Sequence, residues 1–203
     1  REYSLYKARQ EDVLKSSAFK NWTIVRPAIT YSKLRYQLVT LEANVVIYRA
    51  QKNLPVLLPK EALSVQGTMS WAGDVAKMLS CLILNPLALT QTYTLATSEH
   101  HTWKEIADYY KEIIGLNYII VDTQTYLSMF GEQNNFASYQ LKYDRCFNRI
   151  IDNSKVLAAT GLKQSDFTSL KQGLFKELSS LPENTVWSHS DINVKMDEYL
   201  KGV

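Results

Sequence analysis

The sequence predicts an α/β fold, because segments with strand character alternate along the chain with segments of helical periodicity. The strand-like segments are short and rich in β-branched or aromatic residues, at residues 22–25, 54–59, 93–96 and 118–121. Between them lie longer segments in which apolar residues recur every three or four positions, as on one face of a helix. The chain contains no internal repeat, so a solenoid or propeller is not expected.

The elements of the first part follow from periodicity and from proline positions. The strand at residues 22–25 is not alternating, which is typical of burial on both faces, and Pro27 ends it. The predicted order is a helix at 3–18, the strand at 22–25, a helix at 35–52, a strand at 54–59 and an extended segment at 65–71.

Helix boundaries are signalled most clearly in the middle of the chain. Asp74 is placed to start a helix over residues 75–84, where backbone amides need an acceptor. Thr102 and Glu105 match the capping-box pattern, and Gly115 is expected to stop the helix that they open. A loop is predicted at 131–135, and further helices at 123–129, 136–145, 153–160, 167–181 and 192–200.

Composition excludes several classes of function. With 203 residues, 46% of them hydrophobic, the chain can bury a sizeable core. The net charge of +3 is spread along the chain, so nucleic acid is not the expected partner. The three histidines and two cysteines lack metal-ligand spacing, and no apolar segment reaches the roughly 18 residues that span a bilayer. These features predict a soluble cytoplasmic protein with no metal site and no membrane partner.

Tyr3 and Lys7 form a Tyr-x-x-x-Lys pair one turn apart on the first predicted helix. A free phenol loses its proton near pH 10, too high for proton transfer at neutral pH. A nearby ammonium favours the phenolate, so the pair is a candidate acid/base. About one such pair is expected by chance in this composition, and the alternative is an ordinary exposed helix face.

Five segments, taken in order, resemble the extended short-chain dehydrogenase/reductases of the NAD-dependent epimerase/dehydratase family. They are YSLYKARQEDVL at 3–14, WTIVRP at 22–27, WAGDVAKM at 71–78, TLATSEHHTWKEI at 94–106 and RIIDNSKVLAATG at 149–161. No single segment is a strong motif, but their order and separation follow the family over most of the chain.

The resemblance implies the C-terminal part of a Rossmann-type enzyme with its smaller substrate domain. Residues 1–30 would hold the last helix and strand of the Rossmann-type domain, and 31–203 mainly the substrate domain, with 72–97 as a segment that can pack back on the first part. None of the 7 glycines has the spacing of a dinucleotide-binding loop. The N-terminal nucleotide-binding half is therefore expected to be missing, and the isolated chain to be inactive and without tight affinity for dinucleotide.

The resemblance also assigns roles within an NAD- or NADP-dependent hydride-transfer enzyme. Tyr3 would be the acid/base, and Lys7 its electrostatic partner and a contact to the cofactor ribose. The remaining implied contacts are Pro27 and Ala28 with the nicotinamide, and Ile29, Thr30 and Arg35 with the substrate.

The substrate stays open between a nucleotide sugar and a related hydroxy compound. Gln66, Gly67 and Thr68 stand where nucleotide-sugar members usually carry a diphosphate-binding arginine. The segment 29–31 also lacks the Asn-x-Tyr-Gly arrangement that commonly follows the Arg-Pro pair. Two tyrosine pairs, at 109–110 and 139–143, could line a substrate cleft or belong to the core.

Two further interpretations concern partners. In the family the helix with the Tyr-x-x-x-Lys pair commonly forms a dimer interface, so a homodimer is expected. The alternative to an enzyme is a non-catalytic relative that serves as a binding module, with RNA among the candidate ligands, or as a dimerisation module. Exposed apolar surface, where a missing half would dock, is expected to make the isolated chain self-associate.

Overall fold

The computed structural model describes residues 2–33, 35–131, 135–182, 185–187 and 189–202. The helices are α1 (Glu2–Ser16), α2 (Ala43–Gln51), α3 (Lys60–Leu63), α4 (Ala72–Leu82), α5 (Trp103–Ile114), α6 (Thr123–Ser128), α7 (Asn135–Gln140), α8 (Ser154–Thr160), α9 (Leu170–Ser179) and α10 (Asp191–Lys201). The strands are β1 (Thr23–Pro27), β2 (Ile29–Tyr31), β3 (Val56–Pro59), β4 (Gln66–Gly67), β5 (Met69–Trp71), β6 (Gln91–Leu95), β7 (His101–Thr102) and β8 (Tyr118–Val121). A π-helical turn, Leu141–Arg145, follows α7.

Parallel strand pairs joined through helices define the fold. β1 pairs with β6, β2 with β5, and β3 with β8, each in parallel. β4 and β7 form an antiparallel pair. Parallel neighbours need a long crossover, and each of these crossovers contains at least one helix. The chain is therefore α/β, as the sequence predicts.

The buried side chains form two clusters. The larger one contains β2, β3, α2, α5 and α9, with Trp103 and Tyr110 of α5 fully buried at its centre. The smaller one joins Met78 of α4, Leu95 of β6 and Val156 of α8, with Val25 of β1 packed against it. Residues of the segment 72–97 thus pack beside β1, while the assignment of this segment and of residues 1–30 to a Rossmann-type domain stays a prediction.

The predicted burial of the first strand on both faces is wrong. In β1 only Ile24 is buried, Thr23 and Val25 are half-buried, and Arg26 and Pro27 are exposed. Within the described ranges the strand pairs with β6 alone. β-branched residues are typical of a strand buried on both faces, but β1 belongs to a two-stranded sheet and is only partly covered.

The predicted helix over residues 35–52 begins too early, because α2 starts at Ala43. The preceding stretch is a buried turn, with Leu38 and Leu41 bridged through their backbones. Val39 has φ of 56°, outside the helical region, and its carbonyl accepts a 2.9 Å hydrogen bond from Arg145 Nε. A contact 106 residues away in sequence thus competes with the local helical pattern.

Local capping signals locate some boundaries better than others. Thr102 and Glu105 form the capping box, and Gly115 ends α5 with φ of 71°. Helix α4 begins at Ala72, so Asp74 is not its cap. Its carboxylate instead accepts a 2.8 Å hydrogen bond from the Thr168 backbone. Of the loop predicted at 131–135, residues 132–134 lie outside the described part, and the last residue already belongs to α7.

The described residues provide neither a membrane span nor a metal cluster. No helix among them combines the length and the apolar character that crossing a bilayer requires. Nor do they bring together three or more His, Cys, Asp or Glu side chains in a group that could hold a metal ion.

Candidate functional site

The predicted acid/base pair lies in a groove between α1 and β1. This Tyr–Lys groove has a volume of about 570 Å³ and is lined by Tyr3 and Lys7 of α1 and by Arg26 and Pro27 of β1, among others. The Lys7 ammonium is 5.7 Å from the centroid of the Tyr3 ring. Tyr3 is 70% exposed, so its hydroxyl is accessible. The structure thus brings the pair together on one face, open to a ligand.

An ion pair fixes the position of α1 over β1. Tyr3, Lys7 and Glu11 are spaced one turn apart along the same face of the helix. Glu11 Oε1 accepts a 2.8 Å hydrogen bond from Arg26 Nε, and its other oxygen accepts one from the same guanidinium. The guanidinium lowers the pKa of Glu11 to about 2, and Glu11 in turn raises the pKa of Arg26. No sequence pattern predicts this clamp between helix and strand.

The predicted contacts after β1 are only partly available. Pro27 lines the Tyr–Lys groove, and Ala28, which is half-buried, donates its backbone N–H to Leu95 at 3.1 Å. Ile29 is 7% exposed and belongs to the larger core, so a substrate contact through its side chain is not supported. The Thr30 hydroxyl donates to the carbonyl of Ala28 at 3.0 Å. The side chains of Ala28, Ile29 and Thr30 do not line the Tyr–Lys groove.

The segment around Arg35, which is predicted to contact the substrate, is hydrogen-bonded to a glutamate of α9. Arg35 itself is exposed, and its backbone exchanges two hydrogen bonds with Ser32. Glu177 accepts from Trp71 Nε1 at 2.6 Å and from the hydroxyls of Ser32 and Tyr36, both at 3.4 Å. Burial, with a further effect of Glu177, raises the pKa of Tyr36 to about 12. No signal in the sequence points to Glu177, because it lies more than 100 residues from its partners.

A second groove opens on the other side of Tyr3, between the start of α1 and the α7 region. This aromatic groove has a volume of about 700 Å³, and its aromatic lining residues are Tyr3, Phe136, Tyr139 and Tyr143. The rings of Tyr139 and Tyr143 stack with centroids 5.5 Å apart and planes inclined by 24°. This pair therefore lines a cleft, whereas Tyr110 of the other sequence pair is buried in the core.

The π-helical turn shapes the far end of the aromatic groove. Its signature is the i to i+5 hydrogen bond from the Cys146 backbone to Leu141, at 3.0 Å. The turn carries Tyr143 and Asp144 into the groove lining, while Arg145 is buried and donates to the carbonyl of Val39 in the core. The Asp144 carboxylate accepts hydrogen bonds from both Arg145 and Arg149. Turns of this kind are frequent at functional sites.

Two of the three residues predicted to contact the cofactor, Lys7 and Pro27, line the Tyr–Lys groove. A pyrophosphate cradle would need a glycine turn between a strand and the start of a helix. Gly73, after β5, stands at such a junction, but a Cβ at this position would overlap the indole ring of Trp71. The space beside this glycine is thus filled by a side chain and not open to phosphate.

Comparisons with known proteins identify the fold. No family model matches the chain, and no curated protein has a significantly similar sequence. Among solved structures, Pal from Bacillus thuringiensis matches 83% of the chain with a TM-score of 0.62 and 12% identity. The UDP-glucose 4-epimerase of Thermotoga maritima, solved with UDP-glucose, matches 85% with a TM-score of 0.58 and 16% identity. The UDP-glucose 4-epimerase of Thermus thermophilus, solved with NAD, matches 86% with a TM-score of 0.57 and 18% identity.

The chain has the fold of about half of each of these three proteins. It covers 49% of the Pal chain, 49% of the Thermotoga chain and 50% of the Thermus chain. The resemblance to extended short-chain dehydrogenases and the predicted partial Rossmann-type fold are thereby confirmed at the level of the fold. At these identities the likeness carries no residue roles, so the roles of Tyr3 and Lys7 remain predictions.

Proposed function

We propose that this chain supplies the proton-transfer and substrate-side half of an NAD(P)-dependent epimerase, dehydratase or reductase. The substrate would be a nucleotide sugar or a related hydroxy compound. The dinucleotide-binding glycines would come from sequence outside these 203 residues, because none of the glycines here has the required spacing. The matched solved structures, twice as long as the part that this chain covers, support the same division.

The observation that carries this proposal is the position of Tyr3 in both grooves. On one side it shares the Tyr–Lys groove with a cation, and on the other it contributes to the aromatic groove. In a hydride-transfer enzyme the acid/base must reach the substrate hydroxyl, and the carbon that bears this hydroxyl must lie next to the cofactor, so the acid/base stands where the two sites meet. A phenol between the two grooves meets that requirement.

The chemistry assigned to this chain is a proton transfer at the Tyr3 hydroxyl. Its oxygen takes the proton of a substrate hydroxyl in one direction and returns it in the other. Lys7 shares the Tyr–Lys groove with this phenol, and its ammonium is 5.7 Å from the centroid of the Tyr3 ring. The Glu11–Arg26 ion pair links the helix that carries both groups to β1. A nicotinamide, when bound, supplies the hydride-accepting chemistry.

The test compares the native gene product, at its full length, with its Tyr3→Phe variant. The variant should lose roughly 10²- to 10⁴-fold in turnover, because the ring remains while the transferable proton is removed. Its unfolding free energy should change by less than about 0.5 kcal/mol, since Tyr3 is exposed. The Tyr6→Phe variant, one exposed tyrosine further along the same helix, is the matched control and should retain activity. Full activity in Tyr3→Phe would reject the assignment.

Dimerisation through α1 is a second proposed role, favoured by the exposure of the helix. None of its described residues is buried, and the apolar side chains Leu5, Val13 and Leu14 are all exposed. Sedimentation of the chain over a range of concentrations tests this role. A Val13→Glu variant should shift the equilibrium toward monomer, and an unchanged distribution would count against α1 as the interface.

A further inference from the structure

We propose that the aromatic groove binds an uncharged, flat hydroxy compound, and not the diphosphate of a nucleotide sugar. This inference rests on the proposed function, because it names the substrate class that Tyr3 would act on. It narrows the choice between the two kinds of substrate that the proposed function leaves open.

The aromatic side chains opposite α1 in this groove are exposed. Tyr139 and Tyr143 are 50% and 72% exposed although their rings stack on each other, so the pair forms a platform at the surface. Phe136 precedes this pair on the same helix, and its side chain is also exposed. Aromatic side chains in such an arrangement favour a planar ligand, which can stack on them without directional polar contacts.

The charges of the groove disfavour a diphosphate. Its lining includes no lysine or arginine among the described residues, and its one charged member is Asp144. The guanidinium groups of Arg145 and Arg149 both bind this carboxylate, and neither arginine is part of the groove lining. A diphosphate placed here would find no cation in the described lining to pair with. A neutral ligand needs no cation in the lining.

The groove also offers a few neutral polar groups beside the reacting position. Ser4 and Gln140 lie in the lining with the Tyr3 ring. A ligand with its flat body on Tyr139 and Tyr143 thus lies in the same groove as the Tyr3 side chain. Residues 66–68, where a diphosphate-binding arginine is usual in the family, are Gln-Gly-Thr. Arg149 hydrogen-bonds to this segment through its backbone, but its guanidinium binds Asp144.

The experiment measures binding of two probes to the full 203-residue chain by isothermal titration and by ligand-observed NMR. The probes are α-tetralol, a neutral secondary alcohol fused to an aromatic ring, and UDP-glucose. We expect α-tetralol to bind and UDP-glucose to bind at least about tenfold more weakly, since the groove offers stacking but no free cation. Tyr139→Ala and Tyr143→Ala should each weaken α-tetralol binding by about tenfold.

Matched variants separate stacking from loss of fold. Tyr139→Phe keeps the ring and should keep the affinity. Phe175→Ala removes an aromatic side chain of α9 that is 60% exposed and lies in neither groove, so it should change nothing. Gln140→Lys introduces a cation into the lining and should shift the preference toward UDP-glucose.

The inference would be overturned if UDP-glucose bound more tightly than α-tetralol, or if neither probe bound. It would also be overturned if neither Tyr139→Ala nor Tyr143→Ala changed the affinity for α-tetralol. A dimer that dissociates on Tyr139→Ala would also overturn it, because the groove would then hold a second copy of the chain. The Tyr3→Phe variant separates this inference from the proposed function. It should bind α-tetralol normally, so lost turnover with retained binding supports both, whereas normal turnover rejects only the proposed function.

Discussion

The contact between α9 and β2 can be tested quantitatively through Gly173 and Tyr31. A Cβ added at Gly173 would overlap the hydroxyl oxygen of Tyr31 and lie 3.0 Å from the ring carbon that bears it. Tyr31 is fully buried, and its hydroxyl donates a long, 3.4 Å hydrogen bond to the carbonyl of Leu170. This contact holds the strand that carries Thr30, beside the loop predicted to meet substrate.

The expected effect of Gly173→Ala is the difference between two terms. Alanine should stabilise a helix interior by about 1 kcal/mol relative to glycine. Overpacking against a buried side chain costs about 1 to 3 kcal/mol, and the overlap with the Tyr31 hydroxyl places this case near the upper limit. The variant should therefore lose about 1 to 2 kcal/mol of unfolding free energy.

A double-mutant cycle with Tyr31→Phe isolates the clash. Removing the hydroxyl should cost only about 0.5 kcal/mol, because its hydrogen bond is long. When Gly173→Ala is made in the Tyr31→Phe background, the new methyl group no longer meets the hydroxyl oxygen. The coupling between the two changes should therefore exceed about 1 kcal/mol.

The assay is urea unfolding followed by tryptophan fluorescence, with both variants and the double variant at one pH. Gly202→Ala is the control, because the atom nearest to a Cβ there is a carbonyl oxygen at an ordinary 3.6 Å. Its stability should stay within about 0.5 kcal/mol of the parent chain. A Gly173→Ala chain as stable as the parent, or additive single and double variants, would refute this packing of α9 on β2.

Three further predictions concern ionisation and capping. The pKa of Glu11 is about 2 in the folded chain, below its usual 4.5. Its ion pair with Arg26 therefore stabilises the fold fully above pH 4.5, and this stabilisation is lost as the pH falls through about 2. In Arg26→Gln, an NMR titration should show the pKa of Glu11 returning toward 4.5. Glu99 raises the pKa of His101 above its usual 6.5, and His101 lowers the pKa of Glu99 below its usual 4.5, so this ion pair stabilises the fold fully between pH 4.5 and 6.5 and less at lower or higher pH. His101→Gln should flatten the pH dependence of the melting temperature. An unchanged pH dependence would show that this pair does not cause it. Thr102→Ala removes the cap of α5 and should lower the unfolding free energy, measured by urea unfolding, by about 1 kcal/mol. A loss below about 0.3 kcal/mol would contradict the capping role.

The part of this protein that the sequence determined by itself is the part governed by short-range chemistry. Thr102 and Glu105 set the start of α5, and Gly115 its end, because each acts on backbone groups a few positions away. The turn-by-turn spacing of Tyr3 and Lys7 follows from helix geometry in the same way. The alternation of strands and helices was sufficient to predict the α/β class.

Tertiary structure decided what depends on contacts between distant segments. The start of α2 was predicted wrongly because Arg145, 106 residues away, binds the Val39 carbonyl in a buried turn that no local pattern encodes. Asp74 binds the Thr168 backbone and not its own helix, again across a long separation. The aromatic groove exists only because the fold brings α1 beside α7, more than 100 residues further along the chain. Periodicity specifies which face of a helix is apolar, whereas only packing specifies what lies opposite that face.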